Sequence, residues 1–168
     1  MVTTMKTFAL AFAIVLAFAG CTTTEAPDVS AELLTMDELT KSPGYTWFVA
    51  EMDTYTPNAN VVSEISTTMT SAPGRKVCVF VKPTCSCRGT QRLFPQVMKT
   101  LMAANIEMSR VEVWSMRGAT DKHPYQPTIL ITDLPAIFVL EDGAVRSIVS
   151  DQDYTDTNAD SLIARAVR

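Results

Sequence analysis

The chain has 168 residues, of which 47% are hydrophobic and 19% are charged, and its formal net charge is −4. This composition is ordinary for one globular domain with some additional length at its ends. Because the net charge is negative and no block of lysine and arginine stands out, the sequence argues against a nucleic-acid partner.

The first twenty residues are predicted to be a signal peptide. Lys6 supplies a positive charge, residues 8–19 form an apolar run, and small residues precede Cys21. The pattern "FAGC" resembles a bacterial lipobox, with Phe18 where leucine is usual. That resemblance implies that Cys21 is lipidated and becomes the first residue of the mature protein. The alternative is an ordinary secretory signal in which this cysteine is incidental.

A lipidated Cys21 predicts a protein of the cell envelope, anchored to a membrane on the periplasmic side. Thr22 rather than an aspartate follows the cysteine, and resemblance to lipoprotein sorting signals then implies the outer membrane rather than the inner one. Residues 21–34 are interpreted as the lipidated cysteine and a flexible tether, because they are rich in threonine, alanine, proline and acidic side chains. Disulfides can persist in this compartment.

Apolar periodicity predicts one α/β domain over residues 35–168, with a helical extension at 35–58 and a mixed sheet of about four strands flanked by helices. In chain order we expect helices near 45–55 and 58–69, a strand at 76–81, a helix at 87–104, a strand at 110–115, a polar loop at 116–127, strands at 135–140 and 144–150, and a helix at 157–168. The strand–helix–strand portion predicts a parallel crossover.

Three cysteines remain after the anchor. Cys78 lies within the apolar run "KVCVFV" and is predicted to be a core residue. Cys85 and Cys87 lie in "VKPTCSCRGTQRLFPQV", between that strand and the next helix. The unpaired N–H groups of a helix N-terminus should stabilise a thiolate at Cys87, and Arg88 either adds a positive charge or points to solvent. Cys85 is the only close thiol that could resolve a mixed disulfide.

This strand, cysteine loop and helix resemble the thioredoxin superfamily over roughly residues 59–168. In that family a proline follows the first active-site cysteine by eight residues, and the count from Cys87 reaches Pro95. The family's cis-proline matches Pro135 in "TDLPAIFVLEDGAV", and its hairpin glycine matches Gly143. The chain looks most like bacterial thioredoxin-like proteins whose motif is Trp-Cys-Gly-Asp followed by serine or cysteine.

The resemblance implies a thioredoxin-like fold in which Cys87 is the attacking cysteine. It also implies that the backbone of Leu134 and Pro135 holds an extended substrate chain and that the peptide bond before Pro135 is cis. The alternative is a trans proline that merely opens a strand. Thr90 occupies the position of the family's second cysteine, where its hydroxyl either donates to Cys87 or is an ordinary first-turn group.

Three departures from the family pattern bear on the chemistry. Thr90 replaces the second cysteine, so that Cys85 lies on the other side of Cys87. Ser86 replaces the tryptophan before the first cysteine, and Val81 replaces the buried acid that assists proton transfer in the family. These changes weaken the case for ordinary disulfide-reductase chemistry.

Three functions remain open from the sequence. The first is a membrane-anchored thiol–disulfide oxidoreductase in which Cys87 and Cys85 are catalytic, acting on cysteine-containing exported proteins or small disulfides without a cofactor or metal. The second is a non-catalytic binding module of the envelope that keeps the fold. The third is a Cu(I) site at the two cysteines, with His123 as a third ligand. A single histidine in a polar loop is expected to be solvated instead.

Overall fold

The computed structural model describes residues 30–168. It contains strands β1 (Glu32–Leu34), β2 (Arg75–Val81), β3 (Val111–Ser115), β4 (Ala136–Glu141) and β5 (Ala144–Val149), and helices α1 (Met36–Lys41), α2 (Thr46–Thr54), α3 (Ala59–Ser71), α4 (Phe94–Ala103) and α5 (Ala159–Val167). The predicted signal peptide, Cys21 and most of the predicted tether lie outside these residues.

The described strands form one mixed sheet in the order β1-β3-β2-β4-β5. Strands β2 and β3 are parallel, as the predicted crossover requires, whereas β4 pairs antiparallel with β2 and β5 antiparallel with β4. The α/β class is therefore confirmed, and the sheet has five strands in this part of the chain rather than about four. This strand order is compatible with a thioredoxin-like arrangement.

The additional strand comes from a segment that the sequence assigns to the tether. Residues 32–34 pair antiparallel with β3, with Glu32 opposite Ser115, and the Ala31 N–H donates to the Lys122 carbonyl at 2.6 Å. Three residues are too few to show a period of two, and their sequence resembles the polar residues before them. Pairing with β3 therefore defines this strand.

Strand β2 is buried on both faces, as its apolar sequence predicts. Val77, Val79 and Val81 belong to the core beneath the helices, whereas Cys78 and Phe80 belong to a second core on the other face. All five side chains are fully buried. The strand therefore fixes the position of the cysteine loop that follows it.

The two faces of the sheet are covered differently. Helices α2 to α5 contribute to the core of the first face. On the second face the irregular segment between β3 and β4 supplies Met116, Ile129 and Ile131, which pack with Phe80 and Phe138. The predicted polar loop is thus partly a cover for the sheet, because it must shield that apolar surface from water.

The N-terminal extension is part of the domain. Helix α1 begins with a capping box, in which the Thr35 side chain accepts from the Glu38 N–H and the Glu38 carboxylate accepts from the Thr35 N–H. In α2, Phe48 and Met52 are buried, and the Phe48 ring lies 5.0 Å from that of Phe94. The extension therefore packs directly on the helix that follows the cysteine loop.

The helix predicted at 87–104 is present, but its first turn is π-helical over Gly89–Leu93 before α4 begins. Pro95 has no N–H, so the carbonyl four residues earlier loses its usual partner. The Phe94 N–H donates to the Gly89 carbonyl, five residues earlier, which is the π-helical pattern. The wide turn accommodates the proline where the sequence predicts a kink.

Candidate functional site

The loop after β2 brings Cys85 and Cys87 together. A tight turn, in which the Cys85 N–H donates to the Lys82 carbonyl at 2.9 Å, redirects the chain. The two cysteines are joined in a disulfide, their Cα atoms lie 5.2 Å apart, and both residues are half-buried. The pairing that the sequence leaves open is therefore present in the structure.

Cys87 lies at the N-terminus of the helix, as predicted. Its carbonyl accepts from the Gln91 N–H at 3.0 Å, which is the first hydrogen bond of the helix. The N–H groups of the first turn have no partners within a helix and carry a partial positive charge. A thiolate formed at Cys87 on reduction would face that charge.

Thr90 lies beside the Cys87 sulfur, one turn into the helix. Its Oγ1 is 3.2 Å from Cys87 Sγ, and the residue is fully buried. Because a disulfide sulfur carries no hydrogen, the Thr90 hydroxyl is the donor in this contact. The position that holds the second cysteine in the thioredoxin pattern is thus occupied by a hydrogen-bond donor.

Pro135 lies against the start of the same helix. The Leu134–Pro135 peptide bond is cis, as the resemblance implies. A Cβ atom added to Gly89 would come within 2.7 Å of Pro135 Cδ and Cγ, which leaves no space for a side chain there. Glycine at 89 therefore allows the cysteine helix and the Leu134–Pro135 segment to meet.

Arg88, next to Cys87, is held by the segment after β5. Its Nε donates to Asp156 Oδ1 at 2.7 Å, and its guanidinium lies 4.7 Å from the centre of the Tyr154 ring. Arg92 also pairs with Asp156, at 3.3 Å. The hydrogen bond from Arg88 lowers the pKa of Asp156, and burial raises the pKa of Tyr154 to about 12.

Sequence reasoning missed these anchors of Arg88, because Tyr154 and Asp156 are far away along the chain and carry no motif. It also missed Asp151, whose carboxylate lies 3.6 Å from where a Cβ on Gly89 would be. Val81, which ends β2 before the cysteine loop, is fully buried and apolar. The acidic groups of this region therefore come from the segment after β5 and not from the central strand.

His123 is buried, contrary to the solvated loop histidine that we expected. It packs edge-on against Phe80, with ring centres 5.0 Å apart, and burial lowers its pKa. Within residues 30–168 no group of three or more histidine, cysteine or acidic side chains could hold a metal ion. In the disulfide form, neither Cys85 nor Cys87 offers the thiolate that a Cu(I) site would need.

Comparison with protein-family models, with curated proteins and with solved structures finds no match. None of the helices in the described part of the chain is long and apolar enough to cross a membrane.

Proposed function

We propose that the protein is a thiol–disulfide oxidoreductase of the cell envelope, with Cys87 and Cys85 as its catalytic pair. The observation that carries this proposal is the Cys85–Cys87 disulfide at a helix N-terminus. Pro135, whose ring meets the same helix at Gly89, supports it. These features combine a redox couple, a group that stabilises a thiolate and a neighbouring segment for binding substrate.

In the reducing direction, the Cys87 thiolate attacks one sulfur of a substrate disulfide. A bond forms between Cys87 and that sulfur, and the other substrate sulfur leaves as a thiolate that takes a proton from solvent. The Cys85 thiolate then attacks Cys87 Sγ and releases the second substrate thiolate. Two electrons pass to the substrate and the Cys85–Cys87 disulfide forms; the reverse sequence oxidises a substrate dithiol.

The neighbouring side chains have separate roles in this scheme. The Thr90 hydroxyl, 3.2 Å from Cys87 Sγ, donates a hydrogen bond to the Cys87 thiolate. This thiolate attacks the substrate in the reducing direction and is released in the oxidising direction. The Arg88 guanidinium is paired with Asp156 and anchors the start of the helix to the segment after β5. Because Val81 is apolar, protons reach the site from solvent and not from an acid on β2. The backbone of Leu134 and Pro135 binds the substrate chain.

The proposed substrates are cysteine-containing exported proteins or small disulfides, and the proposed anchor is a lipid on Cys21. Radiolabelled palmitate and membrane fractionation test the anchor. We expect label and an outer-membrane location for the wild-type chain and neither for Cys21→Ser. A Cys21→Ser protein that still sediments with the outer membrane would contradict lipid anchoring.

The catalytic assignment is tested by reacting the reduced full chain with bis(2-hydroxyethyl) disulfide. Cys87→Ser should lose the reaction, whereas Cys85→Ser should stop at a mixed disulfide that adds one mercaptoethanol to the mass. Cys78→Ala is the matched control, because that thiol is buried away from the loop, and it should react like the wild type. Equal rates for Cys87→Ser and the wild type would contradict the assignment.

A binding module is the second candidate, favoured by the apolar Val81 and by Thr90 in place of a cysteine. It requires the fold but not the chemistry of Cys87. If the reduced protein does not react with the disulfide while its fold is intact by circular dichroism, the binding module becomes the better explanation. If Cys85→Ser forms the mixed disulfide, Cys87 is reactive, and a binding role without thiol chemistry would not be sufficient to explain the protein.

A further inference from the structure

A groove of about 220 Å³ lies on the surface beside Pro135. It is bounded by the end of the segment before β4, by β5 and by the residues that follow β5. We call it the Pro135 groove; its lining includes Leu130, Asp133, Pro135, Ile148 and Asp151. A Cβ atom added to Gly89 would lie 2.7 Å from Pro135 Cδ and 3.6 Å from Asp151 Oδ2, so the groove lies beside the start of the helix that follows Cys87.

Two apolar side chains of the groove face water. Leu130 is 83% exposed and Ile148 is 59% exposed, the highest values for large apolar side chains in the described part of the chain. Ile148 lies opposite Phe138 in the β4–β5 pairing, and Phe138 forms part of the buried lining. Exposed apolar side chains gathered at one groove are typical of a binding surface.

Two exposed carboxylates, those of Asp133 and Asp151, line the same groove. Asp133 accepts a hydrogen bond from the Leu134 N–H at 2.8 Å, and Asp151 is exposed. Among residues 30–168 the ion pairs nearest to this groove involve Asp156 and Asp153, and neither Asp133 nor Asp151 takes part in them. Arg88 lies near enough to Asp151 for an electrostatic interaction, but it makes its hydrogen-bonded ion pair with Asp156. The groove therefore combines apolar contact area with two carboxylates that are exposed to a substrate.

Building on the proposed function, we propose that the Pro135 groove selects substrates in which an apolar residue and a lysine or arginine flank the reacting cysteine. The occupant is an extended segment of an exported protein. Its apolar side chain covers Leu130 and Ile148, and its cation lies between Asp133 and Asp151. Charge complementarity of this kind favours encounter and discriminates between partners.

The proposal is tested with the full chain in detergent and four peptides of equal length. Each peptide contains one cysteine capped as a disulfide with mercaptoethanol, flanked by leucine and lysine, leucine and glutamate, serine and lysine, or serine and glutamate. Rates are divided by the rate with bis(2-hydroxyethyl) disulfide for the same protein variant. The leucine–lysine peptide should react about tenfold faster than the serine–glutamate peptide at low salt, and less so at high salt.

Matched variants separate the groove from general charge. Asp133→Asn and Asp151→Asn should reduce the preference for lysine, whereas Glu107→Gln, which removes one exposed charge beyond the far end of α4, should keep it. Leu130→Asn and Ile148→Asn should reduce the preference for leucine, whereas Leu33→Asn on the opposite edge of the sheet should keep it. Circular dichroism checks that each variant folds.

Failure of the groove inference can be distinguished from failure of the proposed oxidoreductase function. Equal relative rates for all four peptides, or preferences that the Asp133, Asp151, Leu130 and Ile148 variants leave intact, would overturn this inference and leave the oxidoreductase proposal standing. No reaction with the peptides or with bis(2-hydroxyethyl) disulfide would overturn the proposed function and this inference with it.

Discussion

Two cysteine environments lie along one strand and the loop after it. Cys78, in the middle of β2, is fully buried, and burial raises the pKa of its thiol to about 11. Cys85 and Cys87, just beyond the end of the strand, are half-buried and bonded to each other. The same side chain is thus a core residue in one place and a candidate redox group in the other, because reactivity depends on whether the thiolate is solvated or stabilised.

The largest expected difference between the two environments is in alkylation. In the reduced protein near pH 8, iodoacetamide should modify Cys87 at least about 100-fold faster than Cys78, because a thiol whose pKa is about 11 is about 100-fold less ionised than an ordinary one. Burial of the Cys78 side chain should slow its labelling further, because the reagent has no access to it in the folded protein. Peptide mass spectrometry gives both rates, and urea should abolish the difference. Similar rates in the folded protein would contradict the comparison.

The contact between Gly89, in the first helical turn after Cys87, and Pro135 gives a second difference between the redox loop and the core cysteine. Gly89→Ala places a methyl group 2.7 Å from two atoms of the proline ring, so that the helix start and Pro135 must move apart. We expect a loss of about 1–3 kcal/mol in the free energy of unfolding, measured in urea, and slower reaction at Cys87. Gly118→Ala is the control, because its Cβ would meet nothing within 4 Å. If Gly89→Ala and Gly118→Ala have equal effects, the close contact between Gly89 and Pro135 is not important for stability or for reaction at Cys87.

Cys78 should matter for stability and not for chemistry. Cys78→Ala removes one buried sulfur and should cost about 1 kcal/mol in the free energy of unfolding, with no change in the reaction with a small disulfide. In the reduced protein, Cys85→Ala should cost less, because that residue is half-buried. Urea unfolding under reducing conditions compares the two. A slower exchange reaction in Cys78→Ala would mean that the core cysteine is coupled to the site.

The smallest effect concerns the ion pair that holds Arg88. The hydrogen bond from Arg88 lowers the pKa of Asp156 below its ordinary value of 3.8, so the pair stabilises the fold above about pH 4. This contribution is lost as the pH falls through the lower folded-state pKa. Asp156→Asn should therefore lower the urea midpoint at pH 7 and differ less from the wild type near pH 2.5. If the difference in urea midpoint between Asp156→Asn and the wild type increases as the pH falls, the ion pair does not stabilise the fold in the way proposed.

The parts of the fold that follow from local pattern could be predicted from the sequence. The apolar run of β2 and the helical spacing before and after it indicate structures that are present, whereas the cis bond before Pro135 is implied only by the resemblance to the thioredoxin superfamily. Local side-chain patterns and turn residues determine these features. Cys87 at the helix N-terminus belongs to the same group, because its place is fixed by where the strand ends and the helix begins.

The features that pattern reasoning missed depend on distant parts of the chain. Strand β1 exists because it pairs with β3, and His123 is buried because its segment must cover the apolar face of the sheet. Asp156 and Tyr154 hold Arg88 only after β5 and the segment that follows are in place. Contacts between residues that are distant in sequence carry no periodic signal, so these parts of the site become visible only in three dimensions.

The most direct test of the central claim is a redox titration of the full chain. The protein is equilibrated in graded mixtures of reduced and oxidised glutathione, its free thiols are trapped with an alkylating reagent, and its mass is measured. A Cys85–Cys87 redox couple should lose two alkyl groups together and reversibly at one midpoint, and peptide analysis should assign both groups to Cys85 and Cys87. Two thiols that remain separately alkylated across the whole range would contradict a Cys85–Cys87 redox couple.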